Sequence, residues 1–189
     1  MKLKSTLAAF IVLTASSAYS ANILYFAPAT GTVGIGNTVT LQVKIDSVTN
    51  FAGYQFDLLF NNSLFSSTNI ADGTIFTGGG NSDFFIPGTV SGGTISGTGN
   101  SLFGASGVNS TNGLLASFSF LAQAPGVGNF SFDLIDLIDS NGNQITPGTP
   151  GTAQITVTSA TPEPATWTLL SAGIVVGGLL RRRNRPAAA

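Results

Sequence analysis

The stretch TVTLQVKID, residues 38–46, alternates without a break: Val39, Leu41, Val43 and Ile45 fall on one side, Thr40, Gln42 and Lys44 on the other. A period of two held this long predicts a β-strand with one face buried. The same period returns in Tyr54, Phe56, Leu58 and Phe60 against Gln55, Asp57 and Leu59. It returns again in Leu114, Ala116, Phe118 and Phe120 against Ser117 and Ser119. Shorter runs predict strands over 23–26, 94–96, 130–137 and 153–158. Turn signals rich in Gly or Asn separate them at 34–37, 61–62, 78–81, 97–100, 112–113 and 141–142. In the 130–137 run Phe130, Phe132 and Leu134 share a phase that Asp136 breaks, so a bulge or strand end is expected near Asp136. Many short strands, apolar on one face, predict an all-β fold of two packed antiparallel sheets, with phenylalanine (14 copies) as the main core filler.

Composition narrows the function. Charged residues are 8% of the chain, so its solubility rests on hydroxyls and amides. Between the two ends, Lys44 is the one basic residue against seven aspartates (Asp46, Asp57, Asp72, Asp83, Asp133, Asp136 and Asp139), a net charge of −6. A surface of that sign repels phosphates, and no nucleic-acid partner is expected. The chain holds no Cys and no His. Disulfides, thiolate chemistry, Cys- or His-ligated zinc and His-activated nucleophiles are thereby excluded. Any enzyme built here would work with carboxylates alone, and Asp57 and Asp83 are the least turn-like candidates for a glycosidase pair. The expectation is a protein that is not an enzyme and needs no cofactor.

Both ends read as addresses. Residues 1–20 run from Lys2 and Lys4 through an apolar stretch to small residues at Ala18 and Ser20, the order of a secretory signal peptide. A domain is expected over 21–160. Residues 161–189 carry Pro162-Glu163-Pro164, an apolar segment over 166–180, and the basic cluster Arg181, Arg182, Arg183 and Arg185. Fifteen helical residues would span about 22 Å, short of the roughly 30 Å hydrocarbon core, so a short transmembrane helix is expected. The arginines hold its C-terminal side in the cytoplasm and place the domain outside.

This tail resembles the PEP-CTERM sorting signal of exported proteins in Gram-negative bacteria. The resemblance implies that Pro162, Glu163 and Pro164 are recognised by a membrane-embedded exosortase. It further implies that the arginines act as a membrane stop, and that the protein is transiently anchored in the inner membrane before reaching the cell surface or exterior. Such systems are associated with extracellular polysaccharide.

The order of segments in the domain resembles a cohesin-type domain. The carriers are the run from Val33 to Val43, then Gly53 to Phe60 with Asn61-Asn62-Ser63-Leu64 after it. Gly113 to Phe120 follows, then Ala124-Pro125-Gly126 leading into Phe130-Ser131-Phe132, and finally Asp139 to Asn143. The resemblance implies a jelly-roll sandwich of about nine strands and a binding module whose partner in family members is the calcium-binding dockerin domain. It also implies a recognition face that includes the strand bearing Gln55.

The sequence Asp139-Ser140-Asn141-Gly142-Asn143 begins like a calcium loop. The twelfth position, where a closing carboxylate belongs, is Pro150, so the expectation is a hairpin with a type I′ turn at Asn141-Gly142 and no metal site. If Tyr54, Phe56, Leu58 and Phe60 are buried, Gln55, Asp57 and Leu59 stand together outside. An amide, a carboxylate and an apolar side chain about 7 Å apart form a candidate binding strip. The sequence favours a non-catalytic surface or extracellular-matrix protein. The alternatives are a module that captures a dockerin-like partner, and a carbohydrate-binding protein or carboxylate-only glycosidase.

Overall fold

The computed structural model describes residues 23–77, 82–104 and 106–159. The signal segment, Pro162, Glu163, Pro164, the apolar segment and the cluster Arg181, Arg182, Arg183 and Arg185 lie outside the described residues, as does the turn expected at 78–81. Among the described residues there is no helix. Twelve strands appear in chain order: β1 (Ile23–Ala27), β2 (Thr30–Gly34), β3 (Thr38–Asp46), β4 (Val48–Phe60), β5 (Phe65–Asp72) and β6 (Ser82–Ile86), then β7 (Thr89–Ser91), β8 (Thr94–Phe103), β9 (Val108–Ser110), β10 (Gly113–Ala122), β11 (Gly126–Asp139) and β12 (Ala153–Thr158).

Two sheets hold them. The smaller runs β1-β3-β10-β5. The larger runs β2-β12-β11-β4-β8-β6, with β7 paired to β8 and β9 to β4. The sandwich expected from the sequence is present, with two corrections. Among the described residues there are twelve strands where the resemblance implied about nine. The sheets are also not wholly antiparallel, since β12 pairs β2 in parallel. That pair arises because the first extended segment is split at Pro28, which has no N–H to give to a ladder. Its first half joins the small sheet and its second half the large one.

The core lies between the sheets. Phe26, Phe51, Phe56, Phe65, Phe76, Phe118, Phe120 and Phe130 are fully buried with Leu24, Leu41, Ile45 and Leu58. Their rings pack in two groups: in one Phe120 sits 4.9 Å from Phe130 and 5.1 Å from Phe60, and in the other Phe56 sits 5.5 Å from Phe132 and 6.0 Å from Phe118. Each buried ring contributes about 1.5–3 kcal/mol over leaving it in water. The chain has no cysteine, so no disulfide supplements this packing.

The bulge expected near Asp136 is present, and two other local readings change. The bulge in β11 lies between Phe132 and Ile135, ahead of Asp136, so Leu134 is exposed and does not join Phe130 in the core. Residues 97–100 are not a turn but the middle of β8. Gly97 there holds φ +74°, and the β4–β8 register shifts between Phe56 and Leu58. A glycine inside a strand marks such a bulge as readily as a turn. The 139–143 turn is a hairpin, since the Ile145 amide donates to the Leu137 carbonyl. It is not type I′, because only Gly142 (φ +80°) of its residues has positive φ. The Gly142 amide donates to the Asp139 carbonyl, and the Asp139 amide to the Asn143 carbonyl, which is a type I turn closed by a glycine bulge.

Candidate functional site

The outward face of β11, β4, β8 and β6 carries the predicted strip. Tyr54, Phe56, Leu58 and Phe60 are buried on β4, while Gln55 is exposed and Asp57 and Leu59 are half-buried between them. Strand register extends this into two rows across four strands. One runs Asp136, Gln55, Gly99, Ile86, and the next Ile138, Gly53, Ser101, Phe84. Where the rows cross glycines the sheet surface sinks, leaving a groove of about 220 Å³ with Phe84 and Ile86 on one wall and Asp136 and Ile138 on the other. The Ile138 side chain lies over Gly53 so closely that a Cβ there would meet it at 3.0 Å.

Phe84 is 58% exposed, Ile86 48% and Phe103 61%, and the rings of Phe84 and Phe103 meet edge to face with centroids 6.5 Å apart. Three neighbouring large apolar side chains facing outward on one sheet edge make a patch of the kind that anchors a protein interface. Sequence reasoning missed all three. Ser82–Ile86 does alternate, but over five residues in which the adjacent Phe84 and Phe85 hide which ring points out.

The predicted strip is not uniform in role. Gln55 is free on the groove floor, whereas the Asp57 carboxylate accepts the Gly97 amide at 2.7 Å and so braces the β8 bulge. Asp57 and Asp83 do not form a glycosidase pair. Asp57 points outward beside Gln55, and Asp83 alternates with exposed Phe84 and points inward.

The carboxylates that do meet are Asp72, at the end of β5, and Asp83, on β6. The Asn100 amide nitrogen donates to both, 2.9 and 3.1 Å from the Asp72 oxygens and 2.7 Å from Asp83 Oδ2. Burial, followed by the charge of Asp83, raises the Asp72 pKa, and the amides of Asn100 and Gly73 oppose that rise. Beside them the buried Tyr54 hydroxyl donates to the Leu115 carbonyl, and its pKa is held far above the ordinary phenol value, first by burial and then by Asp72 and Asp83.

At the 139–143 turn the Asp139 carboxylate accepts the backbone amides of Asn141 and Asn143, each at 2.8 Å, and the Asn143 side-chain amide at 3.0 Å. These bonds, led by those of Asn143, hold its pKa below the usual carboxylate range. Its oxygens thus serve the turn. Among the described residues no group of three or more acidic side chains gathers at one point.

A family profile described as the cohesin domain matches residues 26–157, well over half of the chain. The chain belongs to the cohesin domain family. Three solved cohesin structures share its fold. The non-cellulosomal cohesin of the hyperthermophilic archaeon Archaeoglobus fulgidus superposes with a TM-score of 0.58 at 15% identity, covering 79% of this chain and 98% of that one. The OlpA cohesin of Clostridium thermocellum, solved as a type I cohesin–dockerin complex, gives 0.59 at 13% identity, covering 74% and 100%. A type II cohesin from the cellulosome of Acetivibrio cellulolyticus gives 0.59 at 17%, covering 71% and 95%. No curated protein matches the chain. At these identities the likeness is one of fold, so this cohesin domain's binding chemistry rests on its own side chains.

Proposed function

We propose that this cohesin domain is a non-catalytic module that captures a dockerin-type protein partner on the outward face of β11, β4, β8 and β6. The observation that carries the reading is the exposed Phe103-Phe84-Ile86 patch beside the groove that holds Gln55 and Asp136. A central apolar anchor flanked by an amide and a carboxylate is the anatomy of a protein interface. A glycosidase reading lacks opposed carboxylates. The acidic charge of the domain speaks against an anionic polysaccharide as the direct ligand.

The two termini support export. On the sequence pattern described above, residues 1–20 direct secretion and Pro162-Glu163-Pro164 with the arginine cluster direct exosortase sorting. The module then works at the cell surface or outside the cell, in a matrix associated with polysaccharide.

Binding of the full chain to the dockerin-type modules encoded in its own genome, followed by biolayer interferometry, tests the reading. Saturable binding at micromolar or lower concentration is expected for at least one of them, since an interface of ordinary size gives affinities from there downward. Failure of every such module to bind would leave the reading without a partner class.

A further inference from the structure

Asp72, Asp83 and the side chain of Asn100 meet on the inner side of the sheets at their open edge, and Asn100 also contributes to the lining of the groove on the outer side. Asp72 registers with Ala116 and, through it, Val43, both fully buried, so its side chain enters the space between the layers. Asn100 registers with buried Tyr54 on one side and with Phe85 on the other, and it is 4% exposed. Thus β5, at the edge of the small sheet, and β6, at the edge of the large one, each bring one carboxylate to the same buried amide.

Three features of this cluster are unusual together. Two carboxylates accept from the same amide nitrogen, that of Asn100, and Asp72 is partly desolvated. Like charges so placed are relieved by a compensating positive charge or by a proton held on one of them. The one Lys or Arg within the described residues, Lys44, alternates with buried Val43 and Ile45 and therefore faces away from the interior. The third feature is Asn100 Oδ1, a buried side-chain oxygen with no hydrogen-bond partner, on an amide aimed at the acidic pair.

An amide's oxygen and nitrogen occupy nearly equivalent positions, and a half-turn about the terminal bond exchanges them. In the turned orientation an oxygen stands where three carboxylate oxygens converge at 2.7–3.1 Å. That arrangement is repulsive alone. It is the spacing of adjacent ligands around an ion whose oxygen distances are about 2.3–2.6 Å.

We propose that Asp72, Asp83 and Asn100 form a divalent-cation site for a hard ion of the calcium class, clamping the edge strands of the two sheets together. Both carboxylates and the carboxamide oxygen are hard donors, and a site that offers several protein oxygens suits calcium better than magnesium, which dehydrates reluctantly and keeps most of its water shell. Asp72 and Asp83 are each half-buried, so water completes the shell from the open side. The Gly73 amide, donating to Asp72 Oδ1 at 2.8 Å, fixes the orientation of that carboxylate. Because Asp83 shares β6 with Phe84 and Ile86, the ion also steadies the strand that carries the apolar anchors.

Thermal unfolding of the full chain, first in chelator and then with added Ca2+, tests this. With an affinity on the order of 0.1–1 mM, as in extracellular calcium modules, about 10 mM Ca2+ should raise Tm by about 4–10 °C. The double variant Asp72→Asn/Asp83→Asn should lose that response, and Asp139→Asn should keep it. Terbium luminescence sensitised by tyrosine supplies a readout independent of that variant's folding. Tb3+ bound beside Tyr54 should emit and be displaced by Ca2+, and Tyr54→Phe should extinguish the emission while leaving the Ca2+-dependent Tm rise. No Ca2+ effect on Tm and no displaceable terbium signal would overturn the proposal in favour of a pair that shares a proton. A response that survives Asp72→Asn/Asp83→Asn and vanishes in Asp139→Asn would overturn it in favour of the turn.

Discussion

The Asp57 carboxylate accepts the backbone amide of Gly97 at 2.7 Å, tying β4 to the β8 bulge across forty positions of sequence. Removing it leaves a half-buried amide without a partner, whereas Gln55, two residues earlier on the same face, supports nothing. Asp57→Ala should therefore lower stability by about 1–2 kcal/mol, and Gln55→Ala by less than about 0.5 kcal/mol. Urea unfolding of the two variants measures the difference, and equal costs would contradict the bracing role.

Phe120 sits within 4.9–6.4 Å of the rings of Phe60, Phe65 and Phe130, at the meeting point of the two sheets. Phe120→Ala should cost about 3–5 kcal/mol, a large share of the roughly 5–15 kcal/mol that holds a domain together. Phe103→Ser on the outer face should stay within about 0.5 kcal/mol. Denaturant midpoints at constant m-value check both.

Asp72 and Asp139 should respond to pH with opposite sign. The Asp72 pKa is raised by burial and by Asp83. In chelator its contribution is full below the ordinary carboxyl value of 3.8 and is lost as pH rises through the higher folded value. Asp139, held low by Asn143 and Asn141, contributes above that ordinary value and loses its contribution as pH falls. In metal-free buffer at neutral pH, Asp72→Asn should raise Tm and Asp139→Asn should lower it. The reverse order in a pH series of melting curves would contradict both assignments.

The strands with long alternation, β3, the second half of β4 and β10 from Ala116 onward, were legible because each has one wet and one buried face, whereas at the start of β10 a bulge buries Leu115 in place of the expected Leu114. Less legible were β6 and β8. In β8 the glycines that read as a turn form a bulge braced from another strand, and a side chain forty positions away is invisible to local periodicity. The candidate face was half legible for the same reason. Gln55 could be assigned from its own strand, but Phe84 and Ile86 join it only through the register of β8 between them. The Asp72–Asp83 contact needed both sheets in place, because its two members belong to different layers.

Sorting rests on the tail sequence and has its own test. Glu163→Ala, or deletion of Arg181, Arg182, Arg183 and Arg185, should leave an unprocessed inner-membrane form, read by fractionation and mass spectrometry. Wild-type protein recovered from the surface intact through Ala189 would contradict the sorting proposal and leave the binding face unaffected.

The central claim is that the outward face of β11, β4, β8 and β6 is the working surface. The most direct measurement is the Kd for a bound dockerin-type module with Gln55→Ala/Phe84→Ser, compared with a variant on the outer face of the small sheet, Thr40→Ala/Ser119→Ala. Loss of a central aromatic anchor should weaken binding by about 30-fold or more, equivalent to roughly 2 kcal/mol, with Tm unchanged and the small-sheet variant binding as wild type. Wild-type affinity in the Gln55/Phe84 variant, with affinity lost in the small-sheet variant, would contradict the account.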